Sequence, residues 1–144
     1  MVQLFVWNDT YKTGDELIDT QHKKLFEVTN EFYDSMSLGR GKEIQAQVMA
    51  ELVHYAIQHF KSEEALLAEI NYPDLAAHKR QHMEFTTRLR ELLLSIEKGD
   101  TINSNGVLRL MQTWISDHVL VTDMKYVPYV KAKKDPNVKN NEPQ

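Results

Sequence analysis

Apolar positions recur three and four residues apart in four stretches of this chain, and each of the first three closes where glycine, asparagine or proline gathers. The first runs through Ile18, Leu25, Phe26, Phe32, Tyr33 and Met36 and stops at Gly39-Arg40-Gly41. The second runs from Ile44 through Val48, Leu52, Tyr55, Ala56 and Leu66 to Ile70, and Asn71-Tyr72-Pro73-Asp74 breaks it. Proline disfavours a continuing helix but suits the first turn of a new one, so a third helix is expected to begin there, carrying Leu75, Phe85, Leu89, Leu92 and Ile96. Turn-forming residues from Gly99 to Gly106 end it, and Val107, Leu110, Met111 and Trp114 mark a fourth. Helices joined by such short connections pack as antiparallel neighbours. The pattern therefore predicts an all-α, up-down-up-down four-helix bundle, preceded by an N-terminal arm with Phe5, Trp7 and Tyr11 and followed by a short C-terminal extension. One domain is expected over residues 1–131. Residues 132–144 are polar and Pro/Asn-rich, too poor in apolar groups to offset the entropy of ordering them, and read as a tail.

Into the apolar stripes fall residues that do not belong there on hydrophobicity alone: His22 on the first, His59 and Glu63 on the second, His78 and His82 on the third, His118 and Asp123 on the fourth. Residues four apart lie about 40° from one another around a helix, so His59 with Glu63, and His78 with His82, each aim two donors at one centre. His118 and Asp123 are five apart, about 140° in an ideal α-helix, and share a face only if the helix is widened, bent or ending between them. An irregularity is expected there, in the β-branched-rich stretch Val119-Leu120-Val121-Thr122. A lone histidine on an apolar face is more often a hydrogen-bonded core residue than a ligand. It is the convergence of five of the chain's six histidines and two carboxylates that points to a shell for two metal ions. His54, five before His59, faces away and is left outside the set; Trp114 is read as core.

Composition narrows the chemistry. With no cysteine, thiolate sites, disulfides and iron–sulfur clusters are excluded, and any metal rests on nitrogen and oxygen. A net charge of −4 with mixed signs gives no nucleic-acid-binding surface, and the Lys131-Ala132-Lys133-Lys134 run is a solvated end. No stretch is long and apolar enough to insert into a membrane, and no N-terminal targeting pattern is visible, so a cytoplasmic monomer is expected. Seven side chains shared between two metals leave coordination positions open, so a small ligand should bind. The donors suit iron and manganese alike.

Four segments, I-D-T-Q-H-K-K-L at 18–25, H-F-K-S-E-E at 59–64, Y-P-D-L-A-A-H-K-R-Q-H-M-E-F at 72–85 and W-I-S-D-H-V-L-V-T-D at 114–123, fall one per helix, and in this order and spacing the chain resembles the single-domain bacterial hemerythrins. The resemblance implies two non-haem iron ions bridged by Glu63, Asp123 and an oxo or hydroxo group. His78, His82 and His118 would serve one iron, and His22 and His59 the other, which keeps a position for O₂. It implies reversible dioxygen binding for storage, transport or delivery, with an oxygen-consuming enzyme as recipient and no catalysis by the chain itself. An oxygen or redox sensor acting through a separate partner, or a di-iron oxidase or peroxidase, are the alternatives. Leu67 stands where relatives often carry methionine, a volume-conserving exchange. Ser116 stands where they commonly place an apolar residue near the oxygen pocket, so it is expected to line that pocket and to hasten decay of the oxygenated form.

Overall fold

A computed structural model describes residues 4–39, 41–100 and 103–134, the side chains of 41–45 excepted. Its framework is three long helices, α1 (Glu16–Ser37), α2 (Gly41–Glu69) and α3 (Leu75–Glu97), and a composite fourth in which α4 (Ser104–Thr113) passes into a π-helix (Trp114–Thr122), a 3-10 turn (Asp123–Tyr126) and α5 (Val127–Lys134). α1 packs against α2 and α4, and α2 against α3, giving the expected up-down-up-down bundle; no strand occurs among the described residues. The side chain of Ile44, where the second stripe begins, and the tail from residue 135 onward lie outside what is described.

Local chemistry sets the helix ends. The Asp15 carboxylate accepts from the Ile18 N–H at 3.1 Å, satisfying one of the amides that a helix start leaves free. α2 ends in a left-handed residue that is not glycine: Asn71, at φ 56°, lets the Tyr72 N–H reach back to the Leu67 carbonyl and its own N–H to that of Ala68. That reversal places α3, and hence His78 and His82, beside His59 and Glu63.

The main core holds Phe26, Phe32, Met49, Leu52, Leu89, Met111 and Ile115, and the arm closes one side of it. Phe5, Trp7 and Tyr11 all pack around Phe26, and the Asn30 side chain both accepts from and donates to the Phe5 backbone, at 2.9 and 2.8 Å. A second cluster of Leu67, Tyr72, Tyr126 and Val130 seals the opposite end. It depends on α5, which continues past residue 131, where the sequence put the domain's end: Ala132 is fully buried, Lys133 pairs with Glu69, and Lys134 donates to the Gly14 carbonyl. Pro128 sits in the first turn of α5, where its missing N–H costs nothing.

Candidate metal centre

All seven expected residues are buried and meet in one pocket between the two clusters. His22 comes from α1, His59 and Glu63 from α2, His78 and His82 from α3, and His118 from the π-helix with Asp123 at its end. The wider π turn accommodates the five-residue spacing, so the irregularity expected between His118 and Asp123 is present, and both side chains face inward.

Five imidazole Nε2 atoms surround two carboxylates. Glu63 Oε1 lies 2.6 Å from His78 and 3.0 Å from His82, while Glu63 Oε2 lies 3.5 Å from His22 and 3.6 Å from His59. Asp123 lies 3.0 Å from His78, 3.1 Å from His118 and 3.1 Å from His22. Glu63, His78, His82, His118 and Asp123 form one set of mutually close donors, and His22, His59 and Glu63 another. Both Asp123 oxygens and the His22 Nε2 are buried without an aligned hydrogen bond, although they are at ion-pair distance. Buried polar atoms are rarely left so, and lone pairs that face one another without hydrogen-bond geometry are what two cations would satisfy. The donor set fits two divalent metals.

Around this shell stands a second ring of contacts that sequence reading missed. Gln21 Oε1 lies 2.7 Å from His59 Nδ1, Glu64 Oε2 2.9 Å from His82 Nδ1, and Gln81 Oε1 2.7 Å from His118 Nδ1. Each acceptor takes the Nδ1 proton, fixing the tautomer whose Nε2 lone pair points inward. The signal was available: each of the three adjoins a ligand in the sequence. Tyr126, also unforeseen, donates its hydroxyl proton to Glu63 Oε2 at 3.0 Å from full burial. Aromatic rings cover the imidazole faces, with Phe60 stacked on His82 at 3.8 Å and Trp114 on His118 at 3.9 Å. Ser116 is exposed, whereas its neighbour Ile115 is fully buried; Ser116 does not line the pocket and the expectation attached to it falls. His54 is exposed, outside the site as expected.

Without metal, protons balance the carboxylates. Burial works against charge on His22, but Asp123 and Glu63 outweigh it and lift its pKa to about 10; the same contest takes His78 to about 9. Burial pushes His59 down to about 4 and lowers His118. Glu63 is held well below the usual carboxylate range, its burial overcome by His22, His78 and His82, and Asp123 is lowered as well. The raised pair stabilises the metal-free fold fully below about pH 6.5 and loses that contribution as pH climbs through about 9 to 10. His59 does the reverse, its contribution vanishing as pH falls from about 6.5 toward 4, and the two carboxylates add to that acid-side loss. The melting temperature of the metal-free protein should accordingly peak between about pH 6 and 7 and fall on both sides. A scan rising steadily to pH 10 would refute this charge assignment.

Removing the Tyr126 hydroxyl offers a second check. Tyr126→Phe keeps the ring in its cluster and deletes one hydrogen bond to a charged oxygen, so the expected cost is about 1.5–3 kcal/mol in unfolding free energy, with metal affinity lower by about 10- to 100-fold. Denaturant unfolding and metal titration would read both; unchanged values would show that the hydroxyl is incidental.

Residues 13–130 match the family model described as the hemerythrin HHE cation binding domain. The chain is 33% identical over 129 residues to a bacteriohemerythrin of Stenotrophomonas maltophilia, covering 90% of this chain and 83% of that protein. It is 32% identical over 129 residues to one of Clostridium acetobutylicum, covering 86% and 99%. Among solved structures, wild-type hemerythrin superposes with a TM-score of 0.80 at 26% identity, over 88% of this chain and 98% of that one.

Proposed function

The chain belongs to the hemerythrin family, and from that premise we propose that it binds dioxygen reversibly at two non-haem irons held by His22, His59, Glu63, His78, His82, His118 and Asp123. The observation that carries this reading is the composition of the pocket: five imidazoles and only two carboxylates, all buried. In the proposed division His78, His82 and His118 serve one iron, and His22 and His59 the other. Glu63 and Asp123 would be shared by both, together with an oxo or hydroxo group. Two ferrous ions, when bound, would supply the electron pair on which reversible dioxygen binding depends.

The protein's own part is orientation and exclusion. Gln21, Glu64 and Gln81 keep three imidazoles turned inward, Tyr126 holds a proton on the outer side of Glu63, and Phe60 and Trp114 cover ring faces that water would otherwise reach. A nitrogen-rich shell brings little negative charge to stabilise high-valent iron. The reading is therefore a binder and not a catalyst, a monomer that stores, carries or delivers oxygen in the cytoplasm to an oxygen-consuming enzyme. No helix among the described residues is long and apolar enough to cross a membrane.

The decisive test is metal analysis with visible spectra of the reduced protein, taken before air, after air and after deoxygenation. Two irons per chain and a colour that comes with oxygen and leaves with it are the expected result. Irreversible change with released peroxide would mean an oxidase or redox sensor, and a colourless zinc protein would exclude all of these.

A further inference from the structure

We propose that the groove between α2 and α3 is a docking surface for an acidic electron-carrier protein that reduces the metal centre. The proposal rests on the di-iron reading for what is reduced, and on the surface itself for where the partner sits. The groove, of about 360 Å³, exposes two apolar side chains, Ile57 at 40% and Met83 at 69%. Lys61, Lys79 and Arg90 stand around them, all exposed, and none forms an ion pair among the described residues. The one carboxylate here, Glu64, is committed to His82. On a chain of net charge −4, three unpaired cations around an apolar patch are a local exception, and they would steer a negatively charged partner to this face. A small apolar centre with a charged rim suits the brief, weak encounters of electron carriers.

The groove also leads to the site. Phe60 and His82, their rings stacked at 3.8 Å, are part of its lining, and Glu64 joins the outer nitrogen of His82, whose inner nitrogen faces Glu63. A second groove, between α3 and the fourth helix, reaches His118 too, but there Glu84 and Asp117 outnumber Arg88, so it would repel an acidic partner. Each encounter passes one electron, the carrier leaving oxidised by one. Two encounters return a diferric centre to the diferrous state, and no bond is made or broken at the surface.

The test uses a reduced plant-type [2Fe–2S] ferredoxin as the acidic probe and compares K61E/K79E/R90E with K12E/K23E/K24E, a matched reversal on and before α1. At low ionic strength the groove variant should be reduced at least about tenfold more slowly than wild type and the control less than about threefold, with the gap closing at about 1 M salt. Reduction by dithionite should not distinguish them. Calorimetric titration with ferredoxin, on the same preparations, should show weaker association for the groove variant and for M83S. Equal losses in the two triple variants, or no ferredoxin association by the wild type, would overturn the docking surface. A protein without redox-active metal would be silent in the reduction assay and fail the di-iron reading, while the titration would still decide the surface.

Discussion

Replacing Glu63 by glutamine should remove most bound metal and, in the metal-free protein, lower the unfolding free energy by about 3–5 kcal/mol, the usual consequence of deleting one member of a buried ion pair. The substitution is isosteric, so it opens no cavity and its effects are electrostatic. Glu63 is fully buried and lies within 2.6–3.6 Å of four imidazoles, besides accepting from Tyr126. Glutamine keeps one acceptor oxygen but brings an N–H₂ group to the other side, facing imidazoles that carry a proton or must donate a lone pair. At about 2–4 °C per kcal/mol for a chain of this size, the melting temperature should fall by about 10 °C. Metal content by elemental analysis and a thermal scan of the stripped protein measure the two effects separately. A variant that holds two metals with a melting point within about 2 °C of wild type would show that Glu63 is not the shared ligand.

Phe32→Ala should cost as much stability and leave the metal untouched. The ring is fully buried in the main core, and truncating such a phenylalanine costs about 3–5 kcal/mol through lost transfer energy and the cavity left behind. It lies ten residues beyond His22 on α1, about 15 Å along the helix and so at the far end of the core from the metal ligands. Thermal unfolding with metal stoichiometry should return a large drop in the first and two metals per chain in the second. Loss of both together would mean that the apolar end of the bundle sets the geometry of the metal end.

The bundle was legible because the apolar stripes have 3-4 spacing and the first three end at glycine or asparagine, which the structure uses to stop a helix: Gly39, Asn71 and Gly99 all take positive φ. The pocket was legible because its residues lie on those stripes, and the awkward five-residue step from His118 to Asp123 called for an irregularity, widened, bent or ending, that the structure makes as a π-helix. What stayed hidden was specified by rotation around a helix and not by spacing along it. Gln21 and Gln81 look like surface residues because each is turned about 100° from its ligand neighbour, toward a helix that sequence does not show beside it. Ser116 misled in the opposite sense: two residues from His118, it is nearly on the opposite face and meets solvent. The last turn of α5 was obscured because the polar, Pro/Asn-rich composition from residue 132 onward reads as a tail, while Ala132 is in fact buried and Lys133 pairs with Glu69.

The outer acceptors share a handedness. Gln21 precedes its ligand on α1, Glu64 follows its ligand on α2, and Gln81 precedes its ligand on α3. Because successive helices run in opposite directions, one step back on an ascending helix and one step forward on a descending one turn the same way when viewed from a single end. α1, α2 and α3 thus each offer an acceptor to the next helix in one circular sense, α1 to α2 to α3 to the π-helix. Rotating α2 or α3 about its axis would break the link it gives and displace the imidazole it receives, and rotating α1 or the π-helix would break the one link each has, so the three bonds act as a gear train that sets the relative rotation of four cylinders at one level.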